Sequence, residues 1–68
     1  MIMLPHQQRV VDEKLELGEK IASLQSFISS SPFFEKLDEA EKDRLRRQKD
    51  YMIDYWNVLM ERIDAFTN

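Results

Sequence analysis

The chain has 68 residues, ten of them Lys or Arg and thirteen Asp or Glu, for a net charge of −3, with one histidine and no cysteine. That length holds one domain with a thin core, and without cysteines no disulfide can reinforce it. A lone His6 cannot build a Cys/His zinc site, and the mixed, mildly acidic charge disfavours broad binding to DNA, RNA or an anionic membrane.

The opening Met1-Ile2-Met3-Leu4 is apolar but has neither a basic n-region nor a long h-region, so it does not read as a signal peptide. Met3 could serve as the start as well as Met1. No apolar run approaches the roughly 20 residues of a membrane span, and a cytoplasmic protein is expected. Pro5 suits the first turn of a helix, where its missing N–H costs nothing. Val10, Leu17, Ile21, Leu24 and Ile28 then recur at spacings of three, four and seven, which predicts helix 1 over about 5–28. Ser29-Ser30-Ser31-Pro32 interrupts it and opens a connector over about 29–38. Within the connector, Pro32–Leu37 reads as one helical turn capped by Ser31, its aromatics plugging the closed end of a hairpin. Asp38 and Glu41 have the spacing of a capping box for helix 2, over about 39–66. Its apolar stripe is Leu45, Met52, Trp56, Leu59, Ile63 and Phe66. Two helices of similar length with a short connection predict an all-α fold, a single antiparallel hairpin domain spanning 1–68.

Helix 1 carries a second stripe, Val11, Leu15, Gly18, Ala22, Gln25 and Ser29, rotated by roughly 100–120° from the first. Gly18 and Ala22 would let another helix come close, although Gly18 also reads as drift on a solvated face. Tyr51, Ile53, Tyr55, Val58 and Met60 widen the apolar arc of helix 2 beyond one seam. Contiguous exposed apolar surface usually marks association. A homo-oligomeric helical bundle is therefore expected, with Val11, Leu15, Gly18 and Ala22 at the interface and the chain itself as first partner.

In an antiparallel hairpin of this kind, positions whose numbers sum to roughly 69 face each other. The open end then gathers His6, Gln7, Gln8 and Arg9 with Arg62 and Tyr55. Arginine and glutamine donors beside an aromatic face suit a phosphate and a stacked base. The same arginines also read as solvated ion pairs with Glu13, Glu61 or Asp64. Arg44, Arg46, Arg47 and Lys49, interleaved with Asp43 and Asp50, read as a solvated face. Gln48 falls on the apolar stripe as a register-setting polar position. No glycine-rich phosphate loop, HExxH or CxxC occurs, and His6 has no nucleophile or acid in a partner pattern. The chain reads as no enzyme, with neither cofactor nor metal.

The stretch Pro5-His6-Gln7-Gln8-Arg9-Val10-Val11-Asp12-Glu13-Lys14, followed by Leu17, Lys20, Leu24, Phe27 and Ile28, resembles small phage and prophage proteins related to a crAss-like phage product. So do Phe34, Leu37, Glu41, Arg44-Leu45, Gln48, Met52, Tyr55, Leu59, Arg62-Ile63 and Phe66. That group is similar in turn to the helical-hairpin domain of phage anti-CBASS and anti-Thoeris sponges. The resemblance implies an oligomer that binds a cyclic oligonucleotide or cyclic ADP-ribose signal of a bacterial host's immune enzymes without cleaving it. In the anti-CBASS branch an aromatic residue and a lysine of the first helices contact the nucleotide. This chain has no aromatic before Phe27 in helix 1, so those contacts do not carry over. Arg9, Arg62, His6, Gln8 and Tyr55 are the expected ligand-binding residues. The alternative is a protein-binding helical module that inhibits or adapts a host protein.

Overall fold

The computed structural model describes residues 3–66, so Met1 and Ile2, and the choice between two starts, lie outside the described residues. It is all-helical, with no strand among the described residues: α1 (Pro5–Ser30), a single turn α2 (Pro32–Glu35) and α3 (Glu39–Ala65).

Pro5 stands at the start of α1, where Gln7 Oε1 accepts the Leu4 N–H at 3.0 Å. The helix runs past Ile28 to Ser30 because Ser29 joins it: its hydroxyl donates to the Gln25 carbonyl at 2.9 Å. Serine can bond along a helix as well as interrupt it. The break falls at Ser31, whose extended backbone is what a residue before proline requires. Ser31 Oγ accepts the Phe33 N–H at 3.2 Å and so caps α2.

Only one of the two connector aromatics plugs the closed end. Phe34 is 2% exposed and meets Phe27 edge-to-face at 6.0 Å, with Lys42 and Arg46 over its ring. Phe33 is 67% exposed, with Lys36 Nζ 5.6 Å from its ring centre. Consecutive helical residues point about 100° apart, so both rings cannot face inward.

The Asp38 carboxylate accepts the Glu41 N–H at 2.8 Å and starts α3. The reciprocal half of the expected capping box is replaced: Glu41 holds Arg44 Nε at 2.7 Å, one turn further on. Lys42 Nζ lies 3.8 Å from Glu35 and 3.4 Å from Glu39, tying α2 to α3. Asp38→Ala should cost about 1 kcal/mol and lower the melting temperature by about 4–8 °C. Glu41→Ala, which leaves the capping carboxylate in place, should move it less; equal losses in a circular-dichroism melt would show that Asp38 does not cap.

α1 and α3 pack side by side in a rod of 49 × 15 × 14 Å. Val10, Leu17 and Leu59 form its buried centre, with Ile21, Met52, Trp56, Ile63 and Phe66 packed around them. A Cβ on Gly18 would lie 3.3 Å from Trp56 Nε1, so the indole takes the room that a residue without a side chain leaves. Leu59 shares one cluster with Val10 and Leu17, close to the expected pairing of positions. No described helix is long and apolar enough to cross a membrane.

Candidate functional site

The two long helices leave a flank on each side of their seam, and the flanks differ in chemistry. On one side, Lys20, Ser23 and Leu24 of α1 share a groove with Gln48 and Met52 of α3. On the other, Gly18, Ile21, Ala22 and Gln25 share a groove with Ile53 and Trp56. Helical spacing extends each flank. His6, Arg9 and Glu13 continue the Lys20 side along α1, and Arg44, Tyr51, Tyr55, Val58 and Arg62 continue the Gln48 side along α3. Val11 and Leu15 continue the Gly18 side.

The first flank holds the stronger candidate for ligand binding. Arg44, Arg47, Gln48, Tyr51, Met52 and Tyr55 line an open groove of about 490 Å³ that belongs to α3 alone. From Arg44 to Tyr55 it runs about 16 Å along the helix, the length of a small nucleotide ligand rather than of a single ion. Tyr51 and Tyr55 stand one turn apart, both exposed. Each arginine is oriented through Nε: Arg44 on Glu41 at 2.7 Å, Arg47 on Asp43 at 2.9 Å. The terminal nitrogens of each guanidinium take no part in those bonds. The hydrogen bond to Glu41, and then that carboxylate's charge, raise the Arg44 pKa above its ordinary value; an arginine is cationic at any working pH with or without that shift. Phosphate and planar-base recognition use such a pairing of guanidinium forks with aromatic faces.

The groove corrects one sequence reading and adds to another. Arg44 and Arg47 are solvated and paired with Glu41 and Asp43, as expected, and they also border an open surface with two tyrosines. Gln48 is exposed rather than a polar core position, and its Nε2 lies 3.9 Å from Met52 Sδ. The signal was present in the sequence, since Arg44, Gln48, Tyr51, Tyr55, Val58 and Arg62 recur every three or four residues.

The expected ligand residues are divided by the structure. His6, Arg9, Arg62 and Tyr55 fall on the same flank, and all four are exposed. Tyr55 lines the α3 groove with Tyr51 and the two arginines, and Arg62 stands seven residues, about 10 Å, further along α3 toward the open end. Gln8 is off this flank, its amide donating to Asp12 Oδ1 at 3.0 Å.

The second flank is apolar. Leu15 is 58% exposed, Ala22 is exposed, and Val11 is half-buried. Gly18 has a neighbour within its own chain, the Trp56 indole, over which Lys14 Nζ sits 5.0 Å from the ring centre. Its missing side chain is thus used inside the hairpin. No group of His, Asp or Glu among the described residues is arranged to hold a metal ion.

A family model described as Sequestin matches residues 4–65. No curated protein and no solved structure matches the chain.

Proposed function

This chain belongs to the Sequestin family, and from that we propose that it is a phage-encoded, non-enzymatic protein that binds and sequesters a cyclic nucleotide messenger of bacterial immunity. It acts in the cytoplasm of the infected or lysogenic host as an assembly of identical copies. The family's name is that of a sequestering protein, and sequestration asks for affinity without reaction. The observation that carries the nucleotide reading is the uncovered arginine–tyrosine groove of α3. Tyrosine faces take a base by stacking, guanidinium forks take phosphate oxygens, and the Gln48 amide can read a base edge. Arg9, Arg62 and His6, on the same flank, extend the surface toward the open end, where a second phosphate would sit.

A ligand that binds the folded protein alone stabilises it by about 2.7 kcal/mol at a hundredfold excess over Kd. In so small a chain that raises the melting temperature by about 10 °C or more. A panel of cyclic dinucleotides, cyclic trinucleotides and cyclic ADP-ribose isomers should contain at least one such stabiliser. Denaturing the complex should return the compound chemically intact. If no compound shifts the melt, the messenger reading fails, and the exposed face of α3 becomes a docking surface for a host protein.

A further inference from the structure

We propose that Glu41 and Asp43, the carboxylates on the two groove arginines, make the α3 groove selective for phosphodiesters over terminal phosphates. It then takes a cyclic nucleotide and turns away a linear one. The inference rests on the nucleotide reading and deepens it. Neither acid lines the groove. Each acts through the guanidinium it holds, as a specificity-determining residue rather than a ligand contact.

The charges around the groove carry the argument. Four cations stand between Lys42 and Arg47, but two of them are turned to the closed end. Lys42 lies near Glu35 and Glu39, and with Arg46 it covers the Phe34 ring. Arg44 and Arg47 alone of the four border the groove. Glu41 Oε1 lies 2.7 Å from Arg44 Nε, and Asp43 Oδ2 lies 2.9 Å from Arg47 Nε. Two guanidinium charges and two carboxylate charges cancel. The groove therefore offers directed N–H donors without surplus positive charge. The adjoining groove repeats the balance, with Lys20 beside Glu19, and the whole chain carries −3.

A bridging phosphodiester bears one negative charge, and its two free oxygens match the terminal N–H groups of a guanidinium. A terminal phosphate bears about −1.5 to −2 at neutral pH. Its extra charge meets no further cation in the groove and lies roughly 6 Å from the carboxylate across the guanidinium. At an exposed site that repulsion weakens binding by about two- to fivefold for each extra charge. Stacking on Tyr51 and Tyr55 cannot supply the distinction, because cyclic and linear nucleotides present the same base faces. Specificity is a difference of affinities, and a repulsive element produces it as well as an attractive one. A sequestering protein needs that difference, since linear nucleotides would otherwise occupy it.

The Glu41→Gln/Asp43→Asn double variant removes both negative charges and keeps an amide oxygen to accept each Nε–H. Asp38 starts α3 with its own carboxylate, so the cap is untouched, and circular dichroism checks the fold. The probes are ATP and 5′-AMP, against cyclic di-AMP, cyclic di-GMP and cyclic ADP-ribose, titrated calorimetrically into wild type and variant. The variant should bind ATP about tenfold more tightly than wild type does, with a gain of no more than about threefold for the cyclic compounds. Raised salt should narrow the wild-type preference. An equal gain for linear and cyclic compounds overturns the proposal, as does a wild type that binds ATP as tightly as the cyclic compounds. If the acids only orient the arginines, the amides leave the ratio unchanged, and that result also overturns it. No binding of any of the five compounds to either protein removes the nucleotide reading itself, and this proposal with it.

Discussion

Leu59→Ala should leave the chain without a cooperative thermal transition above room temperature. Leu59 is 0% exposed and sits between Val10 and Leu17 of the opposite helix. Truncating a buried leucine costs about 2–5 kcal/mol, the upper end applying where the surroundings cannot collapse. A domain of this length is stable by roughly 3–10 kcal/mol in total. The seam offers few other buried side chains to absorb the loss, so one truncation removes most of the margin. Leu59→Met, which keeps the volume, should cost below about 1.5 kcal/mol. A circular-dichroism melt distinguishes the cases: a Leu59→Ala transition within a few degrees of wild type would show that stability resides outside this seam. Truncating Leu15, exposed within the hairpin, should matter only at protein concentrations where copies associate, so its effect should depend on dilution while that of Leu59 does not.

The difference between those two leucines shows what the sequence can and cannot disclose. Three-four spacing identifies both as members of apolar stripes on one helix or the other, and the all-helical fold is legible from it. Turn and cap positions are legible too, because Ser31 and Asp38 act through their own backbone neighbours. What spacing lacks is the partner that fills the space over a helical glycine: at Gly18 it is the Trp56 indole, and a glycine inside a helix gives no sign of which side chain that will be. Competition for a side chain is equally invisible. Glu41 could cap α3 or orient Arg44, and its carboxylate is on Arg44 Nε.

The hairpin has two unlike flanks, and on the proposed function each would meet a different requirement. The flank of α1 can be desolvated at modest electrostatic cost, with Lys14, over the Trp56 indole, at its edge. The arginine–tyrosine flank of α3 cannot, since burying Arg44 and Arg47 with their acidic partners would demand compensation that a second identical face does not offer. Self-association on the first flank and ligand capture on the second are therefore compatible in one small chain.

On the proposed function, nucleotide affinity should fall most on truncation of the α3 groove. Stacking on an aromatic side chain contributes about 1–3 kcal/mol per base, so Tyr51→Ala should weaken binding by roughly five- to 150-fold, while Tyr51→Phe, which keeps the ring, should change it little. Arg44→Ala removes a charge-assisted phosphate contact of about 1.5–3 kcal/mol. Arginine stays cationic across the neutral and mildly alkaline range, so its contribution should persist unchanged there. Arg9→Ala and Arg62→Ala act outside the groove, toward the open end, and should cost less. Isothermal titration of the stabilising compound against these five variants, each first shown to retain wild-type helicity, reads the ranking directly. Large losses at Arg9 and Arg62 with full binding by Tyr51→Ala would move the ligand to the open end of the hairpin and leave the α3 groove without it.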